Sequence, residues 1–184
     1  EALRTTQEAV RFEGAAIEVR LYAEDPAAGF LPQSGRVVDW DLPLAEGLRV
    51  DSGVETGSEV GIHYDPMLAK IITSAESRPL ALQRMRCALR SLSVQGVTTN
   101  RDFLLRVLDH PAFIAGDIDT HFIDRHLHDQ LGDGVSELDE HRAAIAAALA
   151  EQQMRNGRRV LLPDVPSGWR NNYHTPQWVE YVVS

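Results

Sequence analysis

From Ile17 to Glu24 every second side chain is apolar: Ile17, Val19, Leu21 and Ala23 alternate with Glu18, Arg20, Tyr22 and Glu24. A period of two predicts a half-buried β-strand with one charged face. Arg20 stands on that face between Glu18 and Glu24, so the strand presents a fork-shaped, permanently charged donor on a stiff support. The strand is expected to end at Asp25-Pro26, because proline removes a ladder donor. Taken alone, an arginine flanked by acids on a strand reads first as an ordinary exposed ion-pair face, worth only ~0–1 kcal/mol.

The segments that follow are short strands and turns. Residues 27–35 hold many breakers and form a loop, and Phe30 and Leu31 are expected to fold it back onto the core. Strands are predicted at about 36–41, 48–52 and 59–62, with a buried one at Met67–Thr73. Few helices before residue 77 favour an antiparallel sheet curling into a small half-barrel. Ser77 is expected to cap a helix, with Pro79 tolerated in the first turn. Ala81, Met85, Ala88, Leu89 and Leu92 share one face of that helix. Arg78, Arg84, Arg86 and Arg90 make its other side basic, read as a solvated face. Cys87 falls inside it as a small apolar filler.

A second helix starts after Thr99 or Asn100, carries Phe103, Leu104, Val107 and Leu108, and stops at Asp109-His110-Pro111. A third is expected from about Asp119 to His128, with Phe122, Ile123 and Leu127 inward. Residues 130–134 read as a linker. Ser136 and Asp139 suggest a capping box for a long alanine-rich helix that Asn156-Gly157 ends. Its stripe of Leu138, Ile145 and Leu149 is narrow. The fold class expected is therefore α+β, a small antiparallel sheet followed by packed helices, with an appended long helix. The domains expected are 1–130 and 131–184.

A net charge of −9 makes nucleic acid a poor partner. No apolar run approaches the ~20 residues that cross a bilayer. A single cysteine excludes an internal disulfide framework and fits a reducing compartment. His121, His126 and His128 lack a cysteine partner and a zinc-ligand spacing, so they read as surface imidazoles and no metal site is assigned. The start without methionine and the alternating WVEYVVS end suggest a piece of a longer protein.

Four runs, in order, carry a resemblance: GAAIEVRLYAEDPAAGFLPQSGRV, DSGVETGSEVGIHYDPMLAKII, RMRCALRSLSVQGVTTNRDFL and GDIDTHFIDRHL. Together they resemble the C-terminal part of biotin carboxylases, and most of all that of the biotin-containing α subunits of acyl-CoA carboxylases. The resemblance covers about residues 1–130. It implies a ligase that uses ATP, Mg and bicarbonate to carboxylate biotin, with the ATP and Mg held mainly by an upstream region that this sequence does not match. It implies that Arg20, in the family's E-x-R-x-x-A-E-D-P strand, is catalytic, stabilising negative charge that develops on the ureido oxygen.

Asp65, in YDPM, would orient Arg20 or line the biotin pocket. Its bland alternative is an Asx turn before Pro66. Thr120 stands where the family places a residue beside the adenine of ATP. It reads equally as a helix N-cap. Lys70 is read as snorkelling to the surface.

The resemblance also implies partners. They are a biotin carboxyl carrier domain, a carboxyltransferase β subunit reached through a segment like Ser167-Gly168-Trp169-Arg170-Asn171, and a second copy. Arg49 matches a position near the family's dimer contact, although Glu46 stands where an aromatic residue is frequent. The cytoplasm, or the mitochondrial matrix in a eukaryote, would be the location. The competing reading from a different class is a non-catalytic protein-interaction module.

Overall fold

The structure is a computed structural model that describes residues 5–127, 137–158 and 179–180. The chain forms two compact units, Glu1–Gly132 and Asp133–Ser184. In the first unit the predicted strand is β1 (Ala15–Tyr22), followed by the two-residue strands β2 (Glu24–Asp25), β3 (Leu31–Pro32) and β4 (Gly35–Arg36). Then come β5 (Asp39–Asp41), β6 (Leu48–Ser52), β7 (Glu59–Val60) and β8 (Met67–Ala75). Helix α1 (Arg78–Ser91), strand β9 (Ser93–Gln95) and helices α2 (Arg101–Asp109), α3 (Pro111–Ala115) and α4 (Phe122–His126) complete it.

Among the described residues every ladder is antiparallel. A three-stranded sheet runs β1-β8-β6, and three short ladders pair β2 with β3, β4 with β7 and β5 with β9. The register sets Ile17, Val19 and Leu21 opposite Thr73, Ile71 and Ala69 on the inner face. All six are buried, as alternation in β1 requires. The ladder slips between Leu21 and Tyr22, where Tyr22 pairs with Met67 and Leu68 is the extra residue.

Helix α1 closes the inner face. Ala81, Met85, Ala88 and Leu89 are buried as the helical spacing predicts, and Leu82 joins them. The Thr73 hydroxyl, itself buried, donates to the Ala81 carbonyl at 2.9 Å and ties sheet to helix. Ser77 occupies the N-cap position of α1, but its side chain makes no capping hydrogen bond there. A smaller aromatic core gathers Phe103, Phe122 and Leu127, with Phe30 edge-on to Phe103 at 5.0 Å between centroids.

Several expectations need correction. Three of the four arginines of α1 are latches rather than a solvated face; Arg90 is the exposed one. Arg78 donates to the Phe113 carbonyl at 2.6 Å and lies over that ring. Arg84 reaches the Ser74 carbonyl at 2.5 Å, Arg86 holds both the Leu108 carbonyl and Asp109, and Arg90 also pairs with Asp109. Such long cations satisfy carbonyls at element ends that would otherwise lose hydrogen bonds. Cys87 is exposed instead of filling the core.

The strand expected at 36–41 is broken: Val37 is buried between β4 and β5, while Val38 points out. Leu31 is exposed, so Phe30 alone turns the loop back. The stop at Pro111 is also the start of α3, because proline fits the first helical turn and the His110 ring nitrogen accepts from the Ala112 amide. The last helix is shorter than expected, and Ile123 faces out. His126 is not a free surface imidazole. Its ring lies 5.0 Å from that of Phe122 and 4.6 Å from that of His110.

In the second unit, α5 (Glu137–Gly157) is the long helix, with Leu138, Ile145 and Leu149 exposed. The linker at 130–134, Ser136 of the expected capping box, His128 and Ser167-Gly168-Trp169-Arg170-Asn171 lie outside the described residues. No described helix is long and apolar enough to cross a membrane.

Candidate active site

The outer face of the β1-β8-β6 sheet carries the polar half of each alternating strand. Arg20 stands opposite Lys70, which stands opposite Asp51, so the register alone aligns cation, cation and anion in one row. Asp51 binds one cation on its own strand and one across the ladder. It takes a two-pronged contact from Arg49 at 2.9 and 3.1 Å and receives Lys70 Nζ at 3.3 Å. Lys70 is thus paired, not merely extended into solvent. The Arg49 contacts, with help from Lys70, hold the Asp51 carboxyl below its ordinary range against the cost of desolvation.

Arg20 is held more loosely. Its side chain is 61% exposed and its distance to Glu18 is 3.8 Å. The Tyr22 hydroxyl, two residues along the same face, is the largest influence on the guanidinium. With the charges of Glu18 and Asp65 it raises an already high pKa. Arg20 therefore stays a cation with donors turned to solvent, rather than being consumed by a tight salt bridge.

The turn that brings in Asp65 is built from the backbone. Ala23 N–H donates to the Pro66 carbonyl at 2.9 Å, which pins the turn to the end of β1. The Asp65 carboxylate accepts the Met67 amide at 2.8 Å, so the Asx turn is real. The same carboxylate also acts electrostatically on Arg20 and on Glu24. Partial burial, with the Asp65 charge second, pushes the Glu24 carboxyl up. The structure thus brings Arg20, Tyr22, Glu24 and Asp65 toward one end of β1, with Glu18 further along the same face.

Thr120 is not gathered there. It is exposed in the turn before α4, and the N-terminal hydrogen bonds of that turn go to Asp119, whose carboxylate accepts the His121 amide at 2.9 Å. The capping alternative for Thr120 is therefore wrong. Among the described residues no group of three histidine, cysteine, aspartate or glutamate side chains is placed to hold a metal ion.

One contributor escaped the sequence reading. Asn100 is one of two buried polar residues among those described, at 6% exposure. It occupies the N-cap position of α2 but gives its side chain to β1. The cap-like Thr99-Asn100 pair marked a helix start, and only Thr99 serves locally, accepting the Arg101 amide at 3.4 Å.

The family model for the biotin carboxylase C-terminal domain matches residues 18–125. The α subunit of mouse (Mus musculus) mitochondrial methylcrotonoyl-CoA carboxylase is 37% identical over 89% of this chain and 23% of its own length. The propionyl-CoA carboxylase α chain of Ruegeria pomeroyi is 38% identical over all of this chain and 29% of its own. Among solved structures, the biotin carboxylase domain dimer of Hydrogenobacter thermophilus 2-oxoglutarate carboxylase, in complex with MgADP, ADP and bicarbonate, aligns with a TM-score of 0.69. It is 34% identical, over 74% of this chain and 30% of that one.

The biotin carboxylase subunit of a pyruvate carboxylase aligns equally well, at a TM-score of 0.69. The chain belongs to the biotin carboxylase C-terminal domain family. It spans under a third of the length of these relatives.

Proposed function

We propose that this chain supplies the biotin-facing portion of an ATP- and bicarbonate-dependent biotin carboxylase within an acyl-CoA carboxylase α subunit. The observation that carries the reading is Arg20, a loosely paired guanidinium presented on the open face of a rigid sheet with Tyr22 and Asp65 beside it. Biotin, when bound, supplies the ureido group that accepts carbon dioxide. The residues present fit such a group, since Arg20 offers charged donors to an oxygen that gains negative charge during reaction. Asp65 fixes the turn at the end of β1 and orients Arg20 by charge.

Thr120 is assigned a minor part, one exposed wall of an adenine pocket completed by the rest of the enzyme. Mg-ATP and bicarbonate are assigned to that remainder. The carboxyl carrier domain, a carboxyltransferase β subunit and a second copy of the chain are the proposed partners, and the cytoplasm or the mitochondrial matrix the proposed location. The acyl group is chosen by the carboxyltransferase component.

The test is Arg20→Lys in the full-length enzyme, assayed by ATP-dependent carboxylation of free biotin. Lysine keeps the charge and loses the fork. Turnover is expected to fall roughly 100-fold, the size seen when one oxyanion donor is removed, with ATP affinity unchanged. Unchanged turnover removes Arg20 from the mechanism.

A further inference from the structure

Strand β1 lies at the edge of its sheet, bonded to β8 on one side only. Its other edge would expose unpaired amides and carbonyls, which natural sheets cover or blunt. At the segment that carries Arg20 the cover is a single residue. The Asn100 carboxamide oxygen accepts the Tyr22 amide at 3.0 Å, and its amide nitrogen donates to the Arg20 carbonyl at 3.3 Å. The Asn100 backbone N–H donates to the Tyr22 carbonyl at 3.2 Å. One buried asparagine thus does the work of a missing neighbour strand, reading three backbone groups on two residues. Those two residues are Arg20 and Tyr22, whose side chains share the open face of the strand.

We propose that Asn100 is a positioning residue for biotin carboxylation, fixing through the free edge of β1 the backbone from which Arg20 is aimed. The proposal rests on the reading of Arg20 given above. Its physical basis is that the fork must sit within a fraction of an ångström of its target, and a strand held on one edge alone can twist or fray at its end. The carboxamide suits the task because it offers a donor and an acceptor side by side, matching a peptide edge. Asn100→Asp keeps an acceptor for the Tyr22 amide but sets a carboxylate oxygen against the Arg20 carbonyl. Asn100→Ser is too short to reach either group.

The experiment is a double-mutant cycle in the full-length enzyme, pairing each Asn100 variant with Arg20→Lys. The readouts are kcat for free-biotin carboxylation, ATP affinity and Tm. Each Asn100 variant is expected to lower kcat roughly 10- to 100-fold, as small misplacements do, with ATP affinity unchanged. In the Arg20→Lys background the same substitutions should cost little more, because the group they aim is already gone. A loss that depends on Arg20 in this way is one that general destabilisation would not produce.

Losses that multiply in the double variants overturn the proposal, and so do Asn100 variants with wild-type kcat. Weakened ATP affinity, or loss of the folded state in both variants, overturns it in favour of a role in the fold as a whole. If Arg20→Lys alone leaves turnover intact, the reading of Arg20 has failed, and a positioning role toward it falls with it. That result is separate from one in which Arg20→Lys is inactive and Asn100 proves indifferent.

Discussion

Glu24 and Asp51 show how two carboxylates on strands of different sheets come to opposite ends. Asp51 is surrounded by cations and titrates low, whereas Glu24 is partly buried beside another carboxylate and titrates high. Their linkage to stability therefore has opposite signs. A carboxyl lowered in the folded state contributes stability above its unfolded value of 3.8, and this is lost as pH falls through its folded value. A carboxyl raised in the folded state contributes below its unfolded value of 4.5, and this is lost as pH rises through its folded value. Glu24→Gln is thus expected to raise Tm at pH 7, with the gain vanishing as pH drops below about 4.5. Thermal melts of both proteins from pH 3 to 8 check this, and a gain that persists at low pH contradicts it.

Among elements, α1 was the most legible and also the most misread. Its apolar spacing located Ala81, Met85, Ala88 and Leu89 correctly, because a helix facing a sheet must keep one stripe dry. Leu82 widens that stripe and is 1% exposed, so Leu82→Ala should cost about 2–5 kcal/mol in denaturant unfolding. The arginines misled because residue type was equated with solvent. Their guanidinium groups travel far enough to reach carbonyls of other elements, and a helical wheel carries no such information. Asn100 was opaque for the same reason at greater range. Its side-chain partners are 78 and 80 residues away, and the local pattern offered a cap instead. β1 needed no such knowledge, since a period of two states both its conformation and its buried face.

Across the whole of the first unit, β8 has a neighbour on either side and α1 across its inner face. Its amides should therefore exchange slowest of any strand by native-state hydrogen exchange. The two-residue pair β2 and β3 should exchange orders of magnitude faster. The strands at 48–52 and 67–73 were legible, the first from alternation and the second from its mostly apolar run, which the structure carries on to Ala75, whereas β9 and α3 were not. β9 is three residues long and exists by pairing with β5, more than fifty positions earlier. The extra residue at Leu68 bears on any attempt to graft this sheet face onto another scaffold. Because the ladder skips there, copying residues 15–22 and an ideal partner strand into a new scaffold would set Met67 and Tyr22 out of step. A portable version must take the irregular partner strand β8 and the distant asparagine along with the arginine, three fragments that lie far apart in the sequence.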